Sequence, residues 1–450
     1  MEPVMTFDAQ LAALSSAVRG EDLDRVGSLL SQVESDDLAR TLERLDAKSR
    51  AVAFRLLPRD RALAVFEQFD RGLRSELISS LRDDHVVSLF EMLDPDDRAD
   101  LLDELPAVLA ARLMRGLSAR ERELTAPMLG YPRSSIGRRM NPEFVRLRPG
   151  STAGEALAHV RAASAHAETI YLMPVADPGR HLLGVISMRD LLMAPPSDTV
   201  GELMSPPLFA IADEDAEQAA RRCVNLRLLA MPIVDTEHRV IGILTIDDAV
   251  RTISEADAED SARAGASEPL NRPYLSTPIL SVVRSRIVWL LVLALSAILT
   301  VHVLELFEDA LATAVVLALF IPLLTGTGGN TGSQAATTVT RALSLGDVRL
   351  RDVGTVVLHE VRIGMVLGIS LGSLGFVIAG AIYGWDIGLI IGLTLASVCT
   401  LAATMGGAMP LLAKAIHVDP AVFSTPFIST FCDATGLVIY FLIAKAVLGI

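Results

Sequence analysis

Hydrophobic and polar positions alternate in two different ways along this chain. Before about residue 280, apolar residues recur at the spacing of amphipathic helices and short strands. After it, five apolar stretches are each long enough to cross a bilayer, which takes about 20 residues of helix. The pattern therefore predicts a polar, folded first part followed by a five-helix transmembrane part. We place the apolar stretches near 284–306, 311–340, 355–383, 387–413 and 424–448.

The first 135 residues read as consecutive short amphipathic helices. Apolar side chains fall at helical spacing in Ala51–Leu57 and in Asp97–Leu105. Proline-containing turns at Leu57–Asp60 and Leu93–Asp96 separate such segments. We expect residues 1–135 to form an α-helical superhelix of stacked hairpins.

The next 120 residues contain an internal repeat. Residues 140–142 (Met-Asn-Pro) recur as 204–206 (Met-Ser-Pro), and Gly184–Leu192 recurs as Gly242–Val250. Each copy reads as strand, helix, strand, strand, helix, which predicts tandem α/β domains. The strand before each glycine segment covers 171–175 or 230–234, and the two domains cover 136–202 and 203–256.

An acidic segment over 247–268 follows the repeat and predicts a long connecting helix. We assign 257–280 to this connection and 281–450 to the five-helix α transmembrane domain. A solvated linker is the alternative for the acidic segment. The predicted fold class is thus multidomain: helical superhelix, tandem α/β domains, connecting helix and transmembrane helices.

Charge separates the same two parts. The chain has 54 acidic and 40 basic residues, of which only nine and eight lie between Ser276 and Ile450. The first part therefore carries 45 acidic and 32 basic residues, a net charge of −13, and the second part −1. Acidic surfaces repel phosphates, so we expect no nucleic-acid partner. They suit cations, although acidic residues also simply keep a domain soluble.

Loop charges predict the orientation in the membrane. Basic residues precede the first apolar stretch and follow the second and fourth, whereas the other loops carry acidic residues. The positive-inside rule places the N-terminus in the cytoplasm and the C-terminus outside, with Lys445 as the exception. The first residues do not resemble a secretory signal peptide. We therefore expect a multi-pass protein of the cell (inner) membrane, surrounded by lipid bilayer.

The second apolar stretch contains an unusual polar run, Pro322–Gln334. Its glycines, threonines and amides predict a break in the helix that exposes backbone carbonyls along a pore. Close packing through small residues would account for the glycines but not for the two amides. The candidate pore-lining residues are Gly326, Gly328, Gly329, Asn330 and Gln334.

Asp433 lies about ten residues into the fifth apolar stretch. A carboxylate at such depth is costly and usually faces a partner or a wet pathway. An ion pair with Arg362 is the structural alternative. A cation pathway explains the residue better, because a carboxylate can hold Mg²⁺ through its water shell, which this ion loses reluctantly.

The repeat resembles a pair of CBS domains, a family that commonly binds adenine nucleotides. The positions that match the family's ribose contact are Ser187 with Asp190, and Thr245 with Asp248. The same Ser/Thr-x-x-Asp spacing is also an ordinary helix N-cap. The resemblance therefore implies ATP as a candidate ligand, without deciding between the two interpretations.

The whole chain resembles the MgtE family of Mg²⁺ channels. The most specific segments are Gly326–Gln334, Asp419–Pro426 and Asp433–Gly436. The resemblance implies a homodimer with its pore at the subunit interface, where Asp433 holds hydrated Mg²⁺. It also implies that Mg²⁺ is both the substrate and a regulator, which closes the pore by binding between the cytosolic domains.

The regulatory positions match this family only in part. Acids are replaced by Ala64, Arg227, Arg251 and Ala256, and each arginine could itself neutralise a carboxylate. We therefore expect weakened or altered closure by Mg²⁺. The matching positions that retain oxygen ligands are Asp96, Asp100, Asp215, Glu217, Asp248, Glu259 and Asp260.

Two other functions stay open at this level. Asp433 would equally suit a proton- or Na⁺-coupled secondary transporter of divalent cations. A membrane-anchored nucleotide sensor without transport is the third possibility. The sequence contains no convincing catalytic constellation, so we do not expect an enzyme.

Overall fold

The computed structural model describes residues 7–20, 22–33, 35–81, 83–270, 272–416 and 425–449. Its internal contacts divide the chain into two units. The first unit contains residues 1–256 and 270–277, and the second contains 257–269 and 278–450. The segment at 270–277 therefore belongs to the first unit, although the residues just before it, 257–269, belong to the second.

Short helices follow one another through the N-terminal region, as predicted. Asp22, Asp46 and Ser118 each accept a hydrogen bond from a backbone N–H in the first turn, which fixes where a helix begins. Pro58 and Pro95 lie at the starts of two helices, in the two predicted turns. The helices are α1 (Phe7–Arg19), α2 (Leu23–Gln32), α3 (Ser35–Glu43), α4 (Ala47–Arg55), α5 (Arg59–Gln68), α6 (Arg71–Ser80), α7 (Asp83–Met92), α8 (Pro95–Glu104), α9 (Ala107–Gly116) and α10 (Ala119–Thr125).

The repeat folds into two similar α/β copies. In the first copy the initial strand is reduced to a single bridge between Leu147 and Val175, whereas the second copy retains a short strand that pairs in parallel. Each copy has one antiparallel strand pair with a bulge at its end. The elements are α11 (Ala153–Ala163), β1 (Leu172–Ala176), β2 (Leu182–Ser187), α12 (Met188–Met193), α13 (Val200–Leu203), β3 (Ala210–Ile211), α14 (Ala216–Asn225), β4 (Ala230–Val234) and β5 (Val240–Thr245).

The two copies exchange their repeated Met-x-Pro segments. Asn141 bridges to Ile243 in the second copy, and Ser205 bridges to Val185 in the first. A Cβ at Gly184 or Gly242 would lie within 3 Å of the methionine side chain that crosses it, Met204 or Met140 respectively. Both motifs of the sequence repeat thus serve to join the copies.

The predicted acidic helix is observed as far as Ala264. This helix, α15 (Ile246–Ala264), continues directly from β5. Beyond it, Pro269, Pro273 and Pro278 cannot donate backbone hydrogen bonds, and only a 3₁₀ turn at Tyr274–Ser276 forms before the first apolar helix.

In the part of the chain that the structure describes, five helical segments are long and apolar enough to cross a membrane, which agrees with the predicted number. A short helix, α17 (Glu308–Thr313), and a 3₁₀ segment at Val315–Phe320 lead into the second of them. Tyr440 donates a buried hydrogen bond of 2.9 Å to the carbonyl of Leu317, which satisfies one acceptor in this irregular segment. The long helices are α16 (Ile279–Leu306), α18 (Ile321–Leu345), α19 (Val353–Tyr383), α20 (Trp385–Ala415) and α21 (Thr425–Leu448).

The predicted break in the glycine-rich run is wrong. Helix α18 is continuous from Ile321 to Leu345, and the irregular segment precedes it. Three of its glycines are buried because neighbouring helices approach them closely. A Cβ on Gly406 of α20 would lie 2.1 Å from the carbonyl oxygen of Gly332. The small residues therefore allow helices to pack, which was the alternative interpretation.

Candidate ion pathway and cytosolic charge cluster

The contact between α18 and α21 brings together the two predicted pore segments. A Cβ on Gly329 would lie 3.1 Å from Ser429 Oγ, and one on Gly332 would lie 3.2 Å from Cys432 Sγ. In the sequence, Asn330 directly follows Gly329, and Asp433 directly follows Cys432. The structure thus places the polar run of α18 beside the helix that carries the intramembrane carboxylate.

Asp433 is partly buried on α21. Among the described residues it forms no ion pair and no hydrogen bond, and Arg362, the predicted structural partner, is exposed on α19 without an ion pair. Six of the eight residues of the second specific segment, Asp419–Pro426, lie outside the described part, which omits residues 417–424. Asp433 is therefore a carboxylate that nothing in the described chain neutralises.

The candidate pore-lining residues divide into two sets. Gly328 and Gly329 are buried against α20 and α21, so they act in packing. Gly326, Asn330 and Gln334 are exposed and spaced four residues apart, which places them on one side of α18. A Cβ on Gly326 would meet no other atom within 4 Å. This side of the helix is polar and uncovered, and we call it the α18 polar stripe.

A second candidate site lies within the first unit, where Asp96 and Asp97 begin α8. Both carboxylates are buried, and Arg251 of α15 lies between them and Asp248. Arg251 Nη1 is 3.1 Å from Asp97 Oδ1, and Arg251 Nη2 is 2.7 Å from Asp248 Oδ1 and 3.6 Å from Asp96 Oδ2. A guanidinium thus occupies the centre of three carboxylates, and we call this group the Arg251 cluster.

Charges in this cluster are strongly coupled. Burial, and then Asp248 and Asp97, raise the pKa of Asp96 well above its usual range, while Arg251 opposes the shift. Burial also raises the pKa of Asp248. Burial alone would lower the pKa of Arg251, but the surrounding carboxylates raise it above its ordinary value. Arg251, together with buried Arg74, whose Nη1 is 3.2 Å from Asp97 Oδ1, supplies the positive charge that permits these acids to lie together.

Two more arginines continue the network. Arg71 Nη2 is 2.7 Å from Glu255 Oε2 and 3.4 Å from Asp100 Oδ2. Arg139 Nη1 is 2.8 Å from the same Glu255 oxygen and 3.9 Å from Asp100 Oδ2. Arg71 and Arg139 carry no pattern in the sequence that marks them for this network, and Glu255 was notable only as part of the acidic segment 247–268. Only the i, i+4 spacing of Arg251 and Glu255 on α15 could have suggested that they share a surface.

The other predicted regulatory acids make local contacts. Asp215 caps α14 by accepting a hydrogen bond from Gln218 N at 3.0 Å, and Glu217 pairs with Arg221 at 2.7 Å. Glu259 pairs with Arg263, one turn later on α15. Asp260 lies on the same helix. Within the described ranges, no three His, Cys, Asp or Glu side chains are arranged to hold a metal ion.

The predicted departures from the family pattern have different surroundings. Arg251 lies in the carboxylate cluster, as expected, but Arg227 does not. Arg227 is exposed after α14 with a φ of 54°, and it forms no ion pair within the described residues. Ala64 and Ala256 are partly buried in α5 and α15. The expectation of two arginines within one cluster is therefore corrected to one.

The candidate nucleotide positions form a helix cap in the first copy and a side-chain hydrogen bond in the second. Ser187 Oγ donates to Asp190 Oδ2 at 2.6 Å and accepts from Asp190 N at 3.1 Å. Thr245 Oγ1 donates to Asp248 Oδ2 at 2.6 Å. The copies differ in exposure: Asp190 is exposed, whereas Asp248 is also held by Arg251. A ligand could reach the first aspartate more easily than the second.

Family models match most of the chain, in three regions. The MgtE intracellular N domain matches residues 33–134, CBS domains match 134–197 and 200–255, and the divalent cation transporter model of MgtE matches 321–443. These matches agree with the helical, α/β and membrane regions of the structure.

Curated relatives agree with these matches. The chain is 34% identical to the magnesium transporter MgtE of Thermus thermophilus, over 97% of this chain and 98% of the relative. It is 27% identical to the magnesium transporter MgtE of Bacillus subtilis, over 98% of each chain. A solved structure, the cytosolic domain of the Mg²⁺ channel MgtE in complex with ATP, is 31% identical with a TM-score of 0.51, and covers 54% of this chain and 99% of that one. Full-length similarity, a multi-pass membrane region and tandem CBS domains together show that this chain belongs to the MgtE family of magnesium transporters, which are not enzymes.

Proposed function

We propose that the protein is a Mg²⁺-selective channel whose ion pathway passes Asp433. The observation that carries this proposal is the unneutralised carboxylate on α21 at its contact with α18. Because Mg²⁺ keeps most of its waters, a single carboxylate from each of two subunits suits a hydrated ion better than a dry, fully protein-made site would. The polar stripe supplies further hydrogen-bonding groups for such an ion.

The α18 polar stripe also supports a homodimer. Gly326, Asn330 and Gln334 would be poorly placed against lipid, since amides lose their water partners there. A second copy that covers this side would enclose a polar pathway between subunits. We therefore assign the stripe to the subunit interface, with Asn330 and Gln334 facing the ion.

The CBS domains carry a matching apolar surface. Tyr171, Leu192, Leu229 and Val250 are exposed, and they occupy equivalent positions in the two copies. Exposed apolar groups repeated by an internal symmetry suit an interface that itself has twofold symmetry. This surface, which we call the CBS apolar patch, is the second part of the proposed dimer interface.

Current recordings on Asp433→Ala test the proposed pathway. We expect the wild-type chain to carry Mg²⁺ current in patches and the variant to lose it. Asp309→Asn, which changes an acid outside the long helices, serves as the matched control and should keep the current. Asp433→Ala current equal to the wild-type current would reject the pathway, and no Mg²⁺ current in either protein would favour the sensor without transport.

The alternative function is a secondary transporter that couples divalent cations to protons or Na⁺. An intramembrane acid without a partner is compatible with that mechanism as well. Current that persists without any proton or Na⁺ gradient supports the channel. Flux that requires such a gradient supports the transporter.

We further propose that closure by cytosolic Mg²⁺ is weaker than a fully acidic site would give. Arg251 already supplies positive charge to Asp96, Asp97 and Asp248, so a divalent ion would gain less by binding there. Patch recordings over a range of cytosolic Mg²⁺ test this. Tight closure at low millimolar Mg²⁺ would show that the arginine does not substitute for the ion.

ATP is the proposed ligand of the CBS pair, and the first copy is the better site. The similar cytosolic domain was solved with ATP, and here only Asp190 is both exposed and free of arginine. Calorimetry on the full chain in detergent should show ATP binding that Asp190→Ala weakens more than Asp248→Ala does. If calorimetry detects no heat of binding with either ATP or AMP, the proposed nucleotide site is rejected.

The proposed orientation places the N-terminus in the cytoplasm and the C-terminus outside. Five spanning segments put the two ends on opposite sides, and the loop arginines favour the cytoplasmic side. An alkaline phosphatase fused to the C-terminus should therefore be active. An inactive fusion that is made in normal amounts would indicate the reverse orientation.

A further inference from the structure

The short segment that precedes the first apolar helix lies against the N-terminal helices. Arg272 forms an ion pair with Glu76 of α6, and the segment at 270–277 belongs to the first unit. The chain reaches α16 only a few residues later, at Ile279. A contact on this segment therefore acts close to the first spanning helix.

The N-terminal helices hold Glu76 in position for this contact. Arg50 of α4 is buried, and its Nη1 donates to Glu76 Oε1 at 3.0 Å. The rest of the Arg50 guanidinium is fixed by backbone carbonyls, including Leu42 O at 3.0 Å and Leu45 O at 2.7 Å. The remaining oxygen, Glu76 Oε2, is the one that Arg272 contacts. A buried arginine thus orients a carboxylate toward the segment.

Charge, rather than apolar burial, holds the segment there. Tyr274 and Leu275 remain 64% and 76% exposed, beside an open cavity of about 590 Å³ that α3 also lines. Thr277 N and Oγ1 bond to the carbonyls of Tyr274 and Pro273, which gives the segment a compact turn of its own. The ion pair is only partly exposed, with side-chain exposures of 29% for Arg272 and 19% for Glu76.

We propose that the Arg50–Glu76–Arg272 contact is a latch that couples the N-terminal domain directly to the first spanning helix. It acts in parallel with α15 and requires no divalent cation. The coupling rests on the proposed function, a channel that its cytosolic domains close. Release of the latch should therefore favour the open channel at every cytosolic Mg²⁺ concentration.

Hydrogen exchange on the full chain in lipid nanodiscs tests the contact. Arg272→Ala should speed exchange of the amides at residues 274–277 by about threefold to fivefold, the range for one partly exposed ion pair. Glu76→Gln should do the same, and the double variant should add little, because both changes remove one interaction. Arg40→Ala is the matched control: Arg40 lines the same cavity, and its exposed pair with Asp37 spans 3.8 Å.

Mg²⁺ flux into proteoliposomes tests the coupling. We expect Arg272→Ala to raise flux about threefold at both low and high cytosolic Mg²⁺, with Arg40→Ala unchanged. Exchange at 274–277 that matches the control, or faster exchange with unchanged flux, would overturn the latch. Asp433→Ala, measured in parallel, tests the ion pathway separately from the latch. If that variant keeps its flux, the proposed pathway is rejected. The exchange rates and the flux of Arg272→Ala then still decide whether the latch exists.

Discussion

At the scale of single residues, Arg251 is the side chain that contacts all three carboxylates of its cluster, while Arg74 contacts Asp97 alone. Removing one partner from a buried charge group leaves the others uncompensated, which costs more than the pair itself contributes. We expect the same carboxylates, once freed from the arginine, to attract a divalent cation, although the described structure does not arrange them as a metal site. An arginine at position 251 therefore supplies, as part of the chain, positive charge that a bound divalent ion would otherwise supply.

We predict that Arg251→Gln makes the stability of the cytosolic unit depend on Mg²⁺. Without added Mg²⁺ the variant should lose about 1–3 kcal/mol, which lowers the melting temperature by several degrees. Millimolar Mg²⁺ should restore much of this loss in the variant and change the wild-type melting temperature little. Differential scanning fluorimetry of both proteins with and without Mg²⁺ measures it.

Arg120→Gln is the matched control for this experiment, because Arg120 forms a surface pair with Glu143 at 2.9 Å. We expect its free energy of unfolding to lie within about 0.5 kcal/mol of the wild-type value, and its melting temperature not to change with Mg²⁺. An Arg251→Gln protein that ignores Mg²⁺ would show that the freed carboxylates cannot bind the ion.

Glu168 gives a second test at the residue scale. Burial, followed by repulsion from Asp94 and Asp248, raises its pKa to about 7, although Asn141 donates a hydrogen bond of 2.8 Å to it. Since the unfolded chain releases this proton at lower pH, the folded state loses stability as pH rises toward 7. The cost is fully present above that pH and absent in acid.

We predict that Glu168→Gln stabilises the protein by about 1 kcal/mol at pH 8 and has little effect near pH 5. Glutamine keeps the acceptor for Asn141 but removes the charge. Melting curves at the two pH values measure the difference. Glu155→Gln, at a surface capping box, should show no such pH dependence, and equal shifts for both variants would argue against a buried charge at 168.

At the scale of helices, α18 has one packed and one uncovered side. Gly332 of α18 meets Gly406 of α20 backbone to backbone, and Gly329 meets Ser429 of α21. Side chains larger than hydrogen would separate these helices. The opposite side carries Asn330 and Gln334, so packing on one side fixes which residues face the proposed pathway.

We predict that Gly406→Ala disrupts the membrane domain, whereas Gly326→Ala does not. A methyl group at 406 would lie 2.1 Å from the Gly332 carbonyl oxygen, so the helices must move apart, whereas at 326 no atom lies within 4 Å. The expected cost at 406 is about 1–3 kcal/mol, as for other overpacked sites. Fluorescence-detected size exclusion after detergent extraction measures the loss of monodisperse protein. Equal behaviour of the two variants would contradict the packing described.

At the scale of the whole molecule, two exposed features support the proposed homodimer. The α18 polar stripe is poorly suited to lipid, and the CBS apolar patch is poorly suited to water. A homodimer interface presents the same patches from each subunit, so each of these two surfaces suits contact with its counterpart in a second copy.

We predict a detergent-solubilised dimer with twice the chain mass of 48.2 kDa. Leu192→Asp combined with Val250→Asp should increase the monomer fraction in mass photometry several-fold, because charges enter the CBS apolar patch. Val108→Asp, on a residue that is 83% exposed in the N-terminal region, is the control and should leave the dimer intact. A wild-type chain that is monomeric at all concentrations would contradict the proposed interface.

Periodicity and hydropathy were sufficient for most of the architecture. The turns at Pro58 and Pro95, strand β4 and the five apolar segments lie where the sequence predicted them. These features depend on local spacing and on backbone chemistry, which the sequence carries directly. The glycine-rich run was misjudged as a helix break, because the packing of α20 and α21 against it is a tertiary effect.

The sequence alone determined the family resemblance, the membrane segments, the isolated acid at Asp433 and the anomalous arginine at 251. Only the tertiary structure decided what surrounds them. The fold places Arg251, but not Arg227, among carboxylates. It also brings Arg71 and Arg139 to Asp100 and Glu255, and Arg272 to Glu76. Residues far apart in sequence meet through the fold, and local periodicity contains no information about such partners.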